Sequence, residues 1–198
     1  MNGGCEPGLT YSDPGADKRN RLMGWVDSDY ASDPDCRKSV TGYVLSMNCA
    51  PLSWKAKRQD CVTLSSAEAE YVTASMCGQE VIYLRALLQG FGFEQRGPTE
   101  VWEDNAVCIQ ISENPVNRKF TCHIYVQRYF ARDMVRDWLI KLKKCAGTHN
   151  VADALTKSLP SPAFYKHRPW LTGTVQEYKA FSVQMGVHLP LARMAGAA

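Results

Sequence analysis

Nowhere in the 198 residues is there an apolar run long enough to span a bilayer, so a membrane-spanning helix is not expected. Met1 to Pro7 has neither the basic nor the apolar stretch of a signal peptide, and the expectation is an intracellular protein, cytoplasmic or nuclear, with no membrane partner. The eight cysteines include no C-x-x-C pair and only four histidines accompany them, which argues against a zinc centre. Most of these cysteines have apolar neighbours and read as small core residues. No internal repeat is visible. Net charge is only +3, too weak by itself to point to nucleic acid. The basic residues are gathered locally instead, at Lys55-Ala56-Lys57-Arg58, Arg118-Lys119 and Lys141-Leu142-Lys143-Lys144. On charge alone, a solvated basic face explains them as well as phosphate contacts do.

What is present is an ordinary globular composition, 45% hydrophobic and 22% charged, in a chain long enough for one domain with additional segments. Residues up to Arg21 are rich in Gly, Pro, Asp and Asn and read as a connector. Leu22 to Asp29 reads as a strand running into acidic residues. Ser39–Met47 and Leu52–Gln59 read as two more, the third with Leu52, Trp54 and Ala56 inward and its basic side outward. Ser65-Ser66-Ala67-Glu68 is a capping box that opens a long helix to about Gln89, closed by Gly90 and Gly92. Ala74, Cys77, Val81, Leu84 and Leu88 form its buried stripe. A fourth strand ends at Glu103-Asp104-Asn105, a short helix spans Ala106 to Ser112, and Pro115 to Thr121 is a basic loop. His123 to Trp138 is a helix burying Phe130, Ala131, Met134, Val135 and Trp138. A fifth strand runs from Leu139 to Cys145, and a last helix begins at Val151. The pattern weakens after Pro160. The expected organisation is a connector over 1–21, a domain over 22–159 and a partly disordered extension over 160–198. The element order predicts a mixed five-stranded α/β sheet, three antiparallel strands then parallel additions, with helices on both faces.

Four acids fall where strands end or helices begin: Asp27, Glu70, Asp104 and Asp153. If the first and fourth strands are parallel neighbours, Asp27 and Asp104 sit side by side at their carboxyl ends, where open α/β sheets carry their sites. The helix stripe, counted back from Leu88, reaches Glu70 and not Glu68, which points away and has the cap to serve. A lone inward carboxylate would be costly, and clustered ones raise each other's pKa values. Divalent cations relieve both problems: Mg²⁺ prefers oxygen ligands and leaves positions for water and phosphate oxygens. Two such ions about 4 Å apart suit an in-line displacement at phosphorus. Any of the four acids alone reads as a cap or turn residue. All four in this element order point to a metal-dependent nuclease.

The segments around these acids carry a family pattern. They are Gly24-Trp25-Val26-Asp27-Ser28-Asp29-Tyr30-Ala31-Ser32-Asp33-Pro34, Arg37-Lys38-Ser39-Val40-Thr41-Gly42-Tyr43, Pro51-Leu52-Ser53-Trp54-Lys55, Leu64-Ser65-Ser66-Ala67-Glu68-Ala69-Glu70-Tyr71, Glu103-Asp104-Asn105, Asn114-Pro115, His123-Ile124 and Val151-Ala152-Asp153-Ala154-Leu155-Thr156-Lys157. In this order and spacing, over about Leu22 to Leu159, the chain resembles the ribonuclease H domain of copia-type LTR retrotransposon Pol polyproteins. Gly8-Leu9-Thr10-Tyr11 resembles the connector that follows their reverse transcriptase. The resemblance implies Mg²⁺-dependent endonucleolytic cutting of the RNA strand in RNA–DNA hybrids, leaving a 3′-hydroxyl and a 5′-phosphate. It implies two Mg²⁺ ions, with Mn²⁺ able to substitute, on Asp27, Glu70, Asp104 and Asp153. It also implies association with the reverse transcriptase region of a parent polyprotein. Substrate-binding candidates are Ser28 and Asn105, beside two of the acids, and the basic Lys55, Lys57, Arg118 and Lys119. Tyr125 departs from the family, which carries Asp after His-Ile, as does the Arg118-to-Cys122 loop. These departures touch substrate handling or packing, and no metal ligand. For His149, one helical turn before Asp153, two readings stay open, a proton shuttle and a plain loop histidine.

Two rivals remain. Integrase or transposase cores share this sheet but end their acidic triad on a glutamate in a late helix, and no glutamate lies between Glu113 and Glu177. A degenerate element that only binds nucleic acid is the other, although all four acids are retained.

Overall fold

A computed structural model describes residues 8–9, 20–48, 50–113 and 125–173. The strands are β1 (Leu22–Asp29), β2 (Val40–Met47), β3 (Ala50–Arg58), β4 (Thr99–Glu103) and β5 (Ile140–Lys144). The helices are α1 (Ser66–Gly90), α2 (Ala106–Glu113), α3 (Tyr125–Arg136), α4 (Asp153–Thr156) and α5 (Ser161–Thr172), with a 3-10 turn at Gly147–His149. The sheet order is β3-β2-β1-β4-β5, antiparallel at β1/β2 and β2/β3 and parallel at β1/β4 and β4/β5, as the sequence predicts. No helix among the described residues is long and apolar enough to cross a membrane.

Strand alternation divides β1 between two cores. Val26 packs with Tyr43, Val101 and the α1 stripe of Ala74, Cys77, Val81, Leu84 and Leu88, together with residues of α2 and α3. Its neighbour Trp25 faces the other way, into Val44, Trp102, Val151, Ala152 and Trp170. α1 therefore covers one face of the sheet, and α4 and α5 cover the other.

α1 begins as the capping box requires, with Ser65 Oγ accepting the Glu68 N–H at 3.2 Å. Glu68 completes the box one residue further back than the usual pattern, its Oε2 accepting the Leu64 N–H at 2.6 Å. Glu68 thus serves the cap as expected, and it is buried in doing so. At the other end Gly92 takes φ +83, and the N–H groups of Gly92 and Phe93 reach the carbonyls of Gln89 and Leu88. That is a left-handed cap that favours glycine.

Other local expectations need correction. Trp138 is 68% exposed: α3 stops at Arg136, and Trp138 takes the left-handed capping position at φ +57, which turns it off the helical stripe. On β3, Trp54 is 51% exposed and Lys55 half-buried, the reverse of the expected faces. An irregularity between Leu45 and Ser46 explains it, since Leu52 is set aside from the ladder and the alternation restarts at Ser53. Among the described cysteines Cys77, Cys108 and Cys145 are buried, but Cys61 is exposed.

The connector expected over 1–21 lies almost wholly outside the described residues, as do 174–198 of the expected extension. The described part of that extension is α5, which the weakening pattern did not reveal. Pro160 and Pro162 open it, Gly173 at φ 73 closes it, and Trp170 is 3% exposed with its ring 4.6 Å from that of Trp25. Trp170→Ala is expected to cost on the order of 3–5 kcal/mol through the cavity left against Trp25. Urea denaturation measures this, and a loss of less than about 1 kcal/mol would show α5 to be peripheral.

Candidate metal centre

The register of the parallel pair β1/β4 is Met23↔Glu100, Gly24↔Val101 and Trp25↔Trp102, and there the pairing stops. The next two positions of each strand are Val26-Asp27 and Glu103-Asp104. The strands part at the level where their acids begin, so Asp27 and Asp104 flank the mouth of a crevice at the carboxyl ends of both strands. Parting leaves Val26 without a strand partner on that side. Asn150, fully buried, fills the gap by donating Nδ2 to the Val26 carbonyl at 2.7 Å, while its Oδ1 accepts the Ala152 N–H at 3.2 Å. One amide thus ties the start of α4 to β1 beside Asp27.

α4 also needs Gly42, the β2 partner of Asp27. A Cβ there would lie 2.5 Å from Thr156 Cγ2 and 3.1 Å from the Ala152 carbonyl. The missing side chain lets α4 settle on β2, and Thr156 then donates its hydroxyl to Asp27 Oδ2. Lys157 Nζ stands 3.4 Å from Asp27 and 3.3 Å from Asp153. From the opposite face, Glu70 enters at the first turns of α1, where the Ser28 backbone N–H supports it.

The four expected acids do come together, in two halves. Oxygens of Asp27, Asp104 and Asp153 lie within 4.8 Å of one another, and so do oxygens of Glu70, Glu103 and Asp104. Asp104 belongs to both. Glu103 is a member that the sequence reading passed over. Its signal was available: Val101 points into the α1 core, and strand alternation puts Glu103 on that same side. Thr156 and Lys157, quoted in the motif but given no part, also belong here.

The remaining candidates are placed as follows. Ser28 is buried, and its Oγ has no hydrogen-bond partner among the described residues. Asn105 caps α2, its Oδ1 accepting the N–H groups of Val107 and Cys108 at 3.0 and 3.2 Å. Lys57 lies in the cross-strand row Ser28↔Thr41↔Lys57, two strand spacings or roughly 10 Å from β1. It pairs with Asp60 at 3.1 Å, and Lys55 is its neighbour along the same edge strand. His149 is half-buried beside Lys166 and His167 of α5, and burial together with the Lys166 charge lowers its pKa. Gly147, in the same turn, backs onto Asp104, where a Cβ would meet Oδ2 at 3.0 Å. Arg118 and Lys119 lie outside the described residues.

Crowding and burial are visible in the proton affinities. Burial first, then the charges of Glu103, Asp27 and Asp104, push the Glu70 carboxyl well above its ordinary value. Burial raises Glu103 to about 8 against the opposing Asn105 N–H, with Asp104 and Asp27 adding to the rise. Asp153 is raised to about 7 by burial and by Asp27, Lys157 opposing. At Lys157 burial works against the charge, but Asp27 and Asp153 outweigh it and raise the ammonium pKa. Glu70 Oε2 and Glu103 Oε2 are buried with no hydrogen-bond partner among the described residues. Buried carboxylate oxygens without donors are what a hard, oxygen-seeking cation would satisfy, so the donor set fits Mg²⁺ or Mn²⁺.

The architecture is that of ribonuclease H. The N-terminal RNase H domain of a Mycobacterium tuberculosis protein, solved as a fusion with maltose-binding protein, matches 75% of this chain and 96% of its own with a TM-score of 0.50. At 14% identity that likeness speaks for the fold alone. Sequence supplies the kinship. The retrovirus-related Pol polyprotein from transposon TNT 1-94 of Nicotiana tabacum is 40% identical over 143 residues, 72% of this chain and 11% of that protein. The Pol polyprotein from transposon RE1 of Arabidopsis thaliana is 31% identical over 143 residues, 72% of this chain and 10% of that protein. The chain is a homologue of the retrovirus-related Pol polyproteins of plant transposons, with a ribonuclease H fold, and it spans about a tenth of their length. No protein-family model matches the chain.

A raised carboxyl pKa means that the folded state holds the proton more tightly than the unfolded chain. The resulting stability is fully present below the ordinary values of 3.8 for Asp153 and 4.5 for Glu103, and is lost as pH rises through about 7 and about 8. In EDTA the melting temperature is therefore expected to fall between about pH 5 and about pH 9, and saturating Mg²⁺ should flatten that fall. A flat profile in EDTA would mean that these carboxyls are not held against their charge.

Proposed function

We propose that the chain is a Mg²⁺-dependent ribonuclease H that hydrolyses the RNA strand of RNA–DNA hybrids, as one domain of a copia-type retrotransposon Pol polyprotein. The observation that carries this reading is the convergence of Asp27, Asp104 and Asp153, with Glu70 facing Asp104 from the α1 side, at the mouth of the β1/β4 crevice. Divalent cations bound there would supply an activated water and a neutralised leaving oxygen for displacement at phosphorus.

The chain's own residues do the rest. Asp27, Asp104 and Asp153 present oxygens from the α4 side, and Glu70 presents them from the α1 side. The Thr156 hydroxyl and Lys157 ammonium fix the Asp27 carboxylate, and Lys157 fixes Asp153 as well. The Ser28 N–H orients Glu70. The half-buried Asn105 side chain stands next to the acids, where a ribose 2′-hydroxyl can be told from its absence, whereas the Ser28 Oγ is buried away from substrate. Lys55 and Lys57, displaced along the sheet edge, suit phosphates of the DNA strand, and the basic Arg118 and Lys119 are assigned to the same strand. Support for the parent polyprotein comes from the homologous Pol segments.

A labelled hybrid incubated with the purified chain tests the reading. RNA is expected to be cut in Mg²⁺ and spared in EDTA, in many sequence contexts. Glu70→Gln, Asp27→Asn and Asp153→Asn are expected to abolish cutting with folding kept. Glu68→Gln should lose only part of a helix cap, on the order of 1 kcal/mol or less, with cutting retained. Equal cutting of duplex DNA would replace this reading with an integrase-like one, and Mg²⁺-independent binding without cutting would replace it with a degenerate binder.

The basic edge makes a separate prediction. Lys55→Ala with Lys57→Ala is expected to weaken hybrid binding and flatten its salt dependence by about two phosphate contacts, with the rate at saturation nearly intact. Binding titrations at several salt concentrations check it; an unchanged slope would show that these lysines do not meet the substrate.

A further inference from the structure

Glu103 has no part in the four-acid set, yet it is the most deeply buried acid of the crevice. It is 0% exposed, its Oε1 accepts the Asn105 N–H at 2.9 Å, and its Oε2 has no hydrogen-bond partner among the described residues. The Asn105 bond fixes which way the carboxylate faces. What remains, Oε2, is buried, as is the Glu70 Oε2 that likewise has no hydrogen-bond partner among the described residues, and oxygens of Glu103, Glu70 and Asp104 lie within 4.8 Å of one another. The Cys108 thiol, a weak donor, is the other neighbour. A buried carboxylate oxygen facing two more carboxylates, with no N–H or O–H donor of its own among the described residues, is a poor structural choice unless something positive joins it.

We propose that Glu103 is a fifth cation ligand, forming with Glu70 and Asp104 a divalent-metal position on the α1 side of the crevice. Asp27, Asp104 and Asp153 form the position on the α4 side, and Asp104 bridges the two. Each position then has three carboxylates whose oxygens already lie within 4.8 Å of one another. Two divalent cations and the Lys157 ammonium balance the five carboxylates. The inference rests on the ribonuclease H reading for the presence of cations, but Glu103 is no part of that reading. A Glu103 that merely keeps its proton and bonds to a neighbouring acid would contribute nothing to cation affinity.

The test uses the full chain without nucleic acid. Mg²⁺ binding is followed by calorimetry, and the Mg²⁺-induced rise in melting temperature is read beside it. Glu103→Gln keeps the shape and the acceptor for Asn105 but removes the charge. It is expected to weaken one of two Mg²⁺ sites at least tenfold, to shrink the Mg²⁺-induced rise, and to melt higher than the unsubstituted protein in EDTA. Titration and melting shift identical to the unsubstituted protein would overturn the proposal. Should Glu103→Gln fail to fold, Glu103→Asp withdraws the carboxylate by one methylene: weaker binding supports the proposal and unchanged binding overturns it. Asp27→Asn separates the two readings. If it loses Mg²⁺ while Glu103→Gln does not, only the part of Glu103 fails. If the unsubstituted chain takes no Mg²⁺, the ribonuclease H reading fails and this proposal fails with it.

Discussion

Repulsion among five carboxyl groups is the constraint around which this molecule is arranged. Two unit charges 4 Å apart near a protein surface interact by on the order of 4 kcal/mol, and several such pairs would consume a domain's whole stability. Lys157 is the only cation that the ion pairs of the described residues bring against the acids. The chain therefore holds the group together by covalent and backbone means. Asp27 and the Glu103-Asp104 pair ride on neighbouring strands of a five-stranded sheet, Glu70 on a helix of 25 residues anchored by its buried stripe. Proton uptake relieves the strain when no cation does, and Glu70, Glu103 and Asp153 accordingly hold their protons above their ordinary values.

Opening the crevice has its own requirements. β1 and β4 must separate without leaving buried backbone groups unpaired. The Asn150 amide meets that need at Val26 and simultaneously orients α4. Gly42 gives α4 room to lie against β2, and Thr156 then reaches Asp27. Each of these residues serves backbone satisfaction or packing first, and the position of a carboxylate follows from it. Stability and site geometry are in this region the same set of contacts.

How much of this the sequence discloses depends on the range of the signal. The mixed sheet was legible because alternation and helical periodicity are local, and because strand ends collect acids. Glu70 was legible against Glu68 because a long stripe fixes helical phase. Trp138 was not, since a helix end that terminates on a left-handed non-glycine carries no mark in composition. The faces of β3 were reversed because one irregular residue shifts a period of two. α5 escapes because the residues it buries, His167, Pro169 and Trp170, form no apolar stripe, and Trp170 meets a tryptophan some 145 positions earlier, a distance no window spans. Glu103 alternates with Val101 and so shares the α1 face, but an acid directly before Asp104 at a strand end carries no mark that separates a ligand from a turn residue. Lys157 sits one turn after Asp153 and was equally within reach.

α4 is four residues long. One turn has no further residues over which to recover the entropy of nucleation, so a segment of this length does not hold a helix by itself. Its order is lent by the sheet beneath and by the amide before it. Asp153 consequently reports on the cohesion of everything that α4 touches, and the site can be dismantled without a single acid being changed. Sequence drift at a glycine or an asparagine would silence such an element as completely as loss of a carboxylate, while every acidic signature in its sequence survived.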